Sequence, residues 1–227
     1  MEIGIIAEGR GDCAVLQNIL MGFLDLDEED IRFLRPDFNV DNTDKTAFGS
    51  WTLVKKDCEE GFKLDTFLNS PIAGERYIII QIDTAECELP NYDIKRPNKK
   101  EPTYCETLRN EVINKINEWL NNQFSENIFY AICIEEMEAW IHTIYENKDT
   151  SIPVNAKEAF EKYLNKQGRK DKKLDKQLNQ LKHQKAFKQS KALSKAFQKL
   201  NTKKSQKVLD NNESLKAFID SLAILKS

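Results

Sequence analysis

Tyr77–Glu88 reads YIIIQIDTAECE. Tyr77 to Ile82 carry no charge and are mostly β-branched or aromatic, and the chain then breaks into an acidic turn. A near-continuous apolar run of this length fits a strand buried on both faces of a parallel sheet. In such sheets chemistry gathers at the carboxyl ends of the strands. Asp83 falls at that end, with Glu86 and Glu88 just beyond it.

The run has company on both sides. Ile3 to Ala7 predicts a first strand that ends in Glu8-Gly9-Arg10-Gly11-Asp12. Ala14, Val15, Leu16, Ile19 and Leu20 then recur at helical spacing, with Asp12 in the N-cap position. Ile31–Leu34 predicts a second strand, and residues 36–50 a polar loop. Trp51, Val54, Cys58, Phe62 and Phe67 predict helix broken near Gly61, and residues 84–102 a second long loop rich in Pro, Asn and Lys. Thr103–Gln123 predicts the clearest helix: Leu108, Val112, Ile116, Trp119 and Leu120 share a stripe, and Thr103 with Glu106 has capping-box spacing. Ile128–Ile134, IFYAICI, is another buried-strand candidate that runs into Glu135-Glu136-Met137-Glu138. From Asn155 onward everything reads as helix. Strands alternating with helices in this order predict a parallel α/β sheet of four strands.

Charge is divided unevenly. Residues 1–161 hold 16 Lys/Arg against 32 Asp/Glu, a net of −16, whereas residues 162–227 hold 18 against 5, a net of +13. Such asymmetry points either to nucleic-acid contact or to two halves that neutralise each other. The five cysteines stand singly and there are only two histidines, which argues against a zinc site or a disulfide framework. The N-terminus lacks a basic region and a long apolar run, so the chain reads as cytoplasmic.

Glu8, Asp83 and the pair Glu136/Glu138 all follow directly on predicted buried strands. In a parallel sheet those ends share one edge, where converging carboxylates repel unless a cation sits among them. Oxygen ligands without histidine or cysteine favour Mg²⁺ or Mn²⁺, ions that commonly serve phosphate chemistry. Taken singly, each carboxylate is more readily explained as a helix cap than as a ligand, Glu8 least so because Asp12 stands in the better N-cap position. Gly9–Ala14 also satisfies G-x-G-x-x-A, the dinucleotide fingerprint. Glu8 and Asp12, however, place carboxylates where a pyrophosphate would lie.

These residues resemble the Toprim domain of topoisomerases, bacterial primases and a class of phage-defence nucleases. The family pattern is a strand ending in E-G-x-x-D and a later strand ending in D-x-D. IGIIAEGRGD matches the first at Glu8, Gly9 and Asp12, with Gly11 inside the motif, and YIIIQIDTA matches the first aspartate of the second at Asp83. Ala85 stands where the second aspartate belongs. The neighbouring Glu86 could substitute, or Ala85 could mark an engineered inactivation or a naturally silent relative.

The resemblance implies a Toprim-like (Rossmann-like) catalytic domain over residues 1–150. Its metal would be held by Glu8, Asp83, Glu86 and Glu138, with Glu8, Asp83 and Glu136 catalytic. It implies a Mg²⁺- or Mn²⁺-dependent nuclease acting on DNA or RNA beside an ABC-type ATPase partner in anti-phage defence. A non-catalytic module that binds nucleic acid or a partner protein is the alternative, and a homodimer is among the assemblies open to it.

Residues 151–227 lie outside the resemblance and read as a lysine-rich helical extension. Sixteen Lys/Arg fall between Lys162 and Lys207. With few aromatics among them, contact would be to phosphates and insensitive to sequence. Lys170, Lys172, Lys173, Lys188 and Lys191 are the candidates. Equally, the lysines could simply be the solvated face of a bundle with Leu174, Leu178 and Phe197 in its core.

Overall fold

The computed structural model describes residues 1–38, 50–201 and 206–226; most of the loop expected over 36–50 lies outside them. Four parallel strands form one sheet: β1 (Glu2–Ile6), β2 (Ile31–Arg35), β3 (Arg76–Asp83) and β4 (Ile128–Cys133), in the order β2-β1-β3-β4. This is the Rossmann-like α/β arrangement that the alternating pattern predicts. Among the described residues no helix is long and apolar enough to cross a membrane.

Period-two alternation divides the sheet's contacts. Ile3, Ile5, Ile79, Ala131 and Cys133 face one apolar cluster, whereas Ile6, Ile78, Ile80, Ile82 and Ile132 face the other. Helix α1 (Arg10–Leu24) covers the first face. Helices α2 (Trp51–Glu60) and α4 (Tyr104–Trp119) cover the second, with α3 (Phe62–Leu68) between them in sequence. Right-handed crossovers require this. The chain leaves β1 in one direction to reach β2, then returns past β1 to β3 and β4, so its crossovers switch faces. The switch falls between β1 and β3, the place where open α/β sheets bind ligands.

The break expected near Gly61 is real: Gly61 has φ 63° and separates α2 from α3. Two expected caps are not formed. Gly9, not Asp12, is the N-cap of α1, which places Asp12 inside the first turn. Thr103 caps α4 by position but makes no side-chain cap bond, so its spacing to Glu106 goes unused.

Beyond residue 150 the chain forms α6 (Ala156–Gly168), α7 (Lys172–Leu181), α8 (Ala186–Leu193), α9 (Gln206–Asp210) and α10 (Glu213–Leu222), after α5 (Glu138–Tyr145). Phe160, Leu164, Phe197, Leu215 and Phe218 share one apolar cluster with Ile3, Ile5 and Leu16. The reason is α1, whose residues Cys13 to Leu20 are all buried. A helix that is buried on every side needs cover on every side, and α8 with the 195–199 turn supplies it. Gly22 makes the approach close enough: a Cβ there would stand 2.0 Å from the Phe197 carbonyl oxygen.

Candidate carboxylate site

Three side chains lock the carboxyl ends of β1 and β3 together. The buried Gln81 accepts from the Glu8 N–H through Oε1 at 3.0 Å and donates from Nε2 to Asp83 Oδ1 at 2.8 Å. Glu8 Oε1 in turn accepts from the Asp83 N–H at 2.6 Å. The Tyr92 hydroxyl donates to the Asp83 carbonyl oxygen at 3.3 Å. Gln81 lies on the same face of β3 as Ile79, and a lone amide in an apolar strand has to find partners. Here its partners are the two strand ends.

The sheet edge divides the acids. Glu8 lies toward α2 and also accepts from the Trp51 N–H in that helix's first turn. Asp83 lies on the α1 face, near Asp12 in the first turn of α1 and Glu138 at the start of α5. The Asp12 carboxylate reaches back to the Gly9 N–H. Anions in a helix's first turn are favoured by its dipole, so Glu8, Asp12 and Glu138 each have a local reason to sit where they do.

That local reason does not account for their crowding. Burial holds the Asp83 carboxyl well above its ordinary range, and Glu8, Asp12, Glu138 and Glu136 add to the shift. Asp12 is raised by burial, then by Glu8, Glu138 and Glu136. Glu8 is pushed up to about 7 by burial and by Glu86, against the lowering effect of its backbone donors. Glu138 is raised chiefly by burial, with Glu136 adding and Lys157 opposing. Strongly perturbed carboxyls converging at the switch point of an α/β sheet mark a candidate functional site.

The remaining expected residues sort as follows. Glu86 is exposed on the turn after β3, close enough to act on Glu8. Ala85 is exposed beside it, its N–H on the Glu135 carbonyl at 3.0 Å. Glu136 accepts from the Lys157 N–H at 3.0 Å and so serves the first turn of α6. Glu135, part of the same acidic run, is drawn off to Arg96 Nη1 at 2.5 Å and Lys99 Nζ at 3.1 Å. Arg96 also donates to the carbonyls of Thr84 at 2.6 Å and Ala85 at 2.9 Å, which staples the turn after β3 to the turn after β4. Nothing in the Pro/Asn/Lys loop singled it out.

The donor set suits a hard cation: carboxylate oxygens at the site, with no histidine among them. Among the described residues no three such side chains are already gathered around one point. Mg²⁺ asks for less, since it commonly keeps its waters and takes one or two carboxylates together with substrate phosphate. Asp83 and Asp12 on one side and Glu8 with Glu86 on the other are the residues that could hold it.

Lys170, Lys172 and Lys173 are exposed around the turn from α6 into α7, and Lys188 is exposed on α8. Lys191 is half-buried and paired with Glu28 at 2.6 Å. Two lysines in the first turn of α7 oppose its dipole, but the Asp171 carboxylate caps that turn by accepting from the Lys173 and Leu174 N–H groups, and Asp175 lies in it as well. No family model, curated protein or solved structure matches this chain.

Proposed function

We propose that the chain is a Mg²⁺- or Mn²⁺-dependent nuclease of Toprim type that cleaves phosphodiester bonds of DNA or RNA. The observation that carries the reading is the crowding of Glu8, Asp12, Asp83 and Glu138 at the carboxyl edge of the sheet, each carboxyl raised by burial, with Asp12 and Asp83 raised further by the others. Bound there, the cation would polarise a phosphoryl oxygen and lower the pKa of a water. Asp83 and Asp12 would hold it, and Gln81 would fix the orientation of Asp83. Glu8, pushed up to about 7, populates both protonation states near neutrality, as a residue that takes a proton from an attacking water should. The exposed lysines of α7 and α8 would hold the polyanion that the acidic centre repels. An ATPase partner in phage defence belongs to the same proposal and rests on the motif resemblance alone.

Ala85 favours a second reading, a Toprim-shaped module that binds without cutting. One assay separates the two. Plasmid DNA and total RNA are incubated with Mg²⁺ or Mn²⁺ and the chain, the Ala85→Asp variant, or Ala85→Asp combined with Glu8→Ala. Cleavage that Glu8→Ala abolishes supports the nuclease. Equal cleavage with and without Glu8 would overturn the assignment, and no cleavage by any form favours the binding module.

A further inference from the structure

Helices α4 and α10 both pack against β4, the end strand of the sheet, and a hollow of about 270 Å³ lies between them. Its walls include Cys105, Glu106 and Arg109 of α4 and Glu213 and Ala217 of α10. Arg109 Nε is buried with no hydrogen-bond partner, and among the described residues its guanidinium belongs to no ion pair. Burial lowers its pKa, and Glu106, one turn earlier, acts against that shift. A cation drawn out of water without a partner is costly, so Arg109 calls for an acceptor that the chain alone does not bring to it. Glu106 and Glu213 are exposed at the rim and, among the described residues, belong to no ion pair either. Each lies in the first turn of its helix, where the dipole favours an anion. The Cys105 thiol donates to the Ser151 carbonyl at 3.2 Å, and Ser151 Oγ accepts from the Glu213 N–H at 3.0 Å. Those bonds bring the next residues of the chain beside the hollow, where Ile152 is 39% exposed and Val154 73%.

From this unpaired set we infer that the α4–α10 face binds a second copy of the chain about a twofold axis, an interface that does not draw on the nuclease reading. The charges select that occupant. A simple anion would meet Arg109 but be repelled by two carboxylates, and a simple cation would meet the carboxylates but be repelled by Arg109. The occupant has to bring an acid to Arg109 and a base to the acids at a matching spacing, and this face carries both. A twofold axis across α4 sets two copies of the helix antiparallel. Glu106 and Arg109, three residues apart on one side of the helix, then each meet their counterpart: Arg109 receives the partner's Glu106, and the partner's Arg109 receives Glu106. That reciprocity defines an isologous contact, in which one patch is its own complement. Glu213 adds a second acid to the same hollow. Ile152 and Val154 supply apolar surface that leaves water when the two faces close, as the core of an interface requires.

The test is the mass of the chain in solution. Sedimentation velocity is run on the full chain, on Arg109→Glu, on Glu106→Arg with Glu213→Arg, and on an equal mixture of the two variants. The full chain is expected to sediment as a dimer, twice its mass of 26.3 kDa, at about 100 µM or below. Each variant leaves the hollow with charge of one sign and should raise the dimer Kd by at least about thirtyfold. The mixture should recover the dimer, because an all-acidic face then meets an all-basic one, and misfolding cannot produce that recovery. A full chain that stays monomeric at about 100 µM overturns the inference. So does a dimer that either variant leaves intact, or a mixture that remains monomeric. The readout is mass and not cleavage, so the dimer and the metal site fail separately.

Discussion

Replacing Glu8 with glutamine removes one charge from a crowded strand end while keeping an oxygen for the Asp83 and Trp51 N–H donors. The folded protein holds a proton on Glu8 up to about pH 7, against an ordinary value of 4.5. A carboxyl raised on folding contributes its full share of stability below the lower value, loses it as pH rises toward the higher, and stays at that deficit above it. The span between the two amounts to at most about 3 kcal/mol. In EDTA, Glu8→Gln should therefore match the wild type at pH 4.5 and exceed it at pH 8 by up to about 3 kcal/mol. For a chain of this size that is about 6–12 °C in Tm. The assay is thermal unfolding by circular dichroism across pH 4.5–8.5, with and without Mg²⁺. The cation should raise the wild-type Tm at pH 8 and narrow the gap, since it relieves the repulsion that glutamine removes. A variant that is less stable at pH 8, or a gap that does not change with pH, would refute the electrostatic account of the site.

Three further substitutions probe the framework. Gln81→Leu leaves the Glu8 N–H and Asp83 Oδ1 without their partner and should cost about 2–4 kcal/mol, read by urea unfolding. Arg96→Ala unties the two turns and should cost about 2–3 kcal/mol, with faster amide exchange at Thr84, Ala85 and Glu135 while β1 stays protected. Gly22→Ala drives a methyl into the backbone of residues 197–198 and should destabilise by more than about 2 kcal/mol. A neutral result would mean that the 195–199 turn does not rest on α1.

The parts of the fold that could be read in advance were those with a strong period. YIIIQID and IFYAIC are strands because their apolar residues run unbroken, and α4 is a helix because its stripe repeats. Glu8 and Asp83 stood out because each ends such a run in a carboxylate. Gln81 is in plain view within the same run, yet one amide in a strand does not reveal its partners. Arg96 reaches Glu135 across 39 residues of sequence, and no local pattern encodes such a contact. Asp12 looked like a cap because its type favours that position, but Gly9 starts the helix three residues sooner than a cap at Asp12 would. The cover over α1 was not legible, because Gln17 and Asn18 interrupt its apolar residues and their burial shows only in the structure.

The central claim is that the acidic end of the sheet is a divalent-cation site organised by Asp83. Mn²⁺ titration at pH 7.5, followed by electron paramagnetic resonance, tests it most directly, comparing the chain with Asp83→Asn and with Glu59→Gln, an acid on the exposed side of α2. The account predicts specific Mn²⁺ binding that Asp83→Asn abolishes and Glu59→Gln leaves unchanged. No bound Mn²⁺ at millimolar concentration, or equal binding by all three proteins, would contradict it.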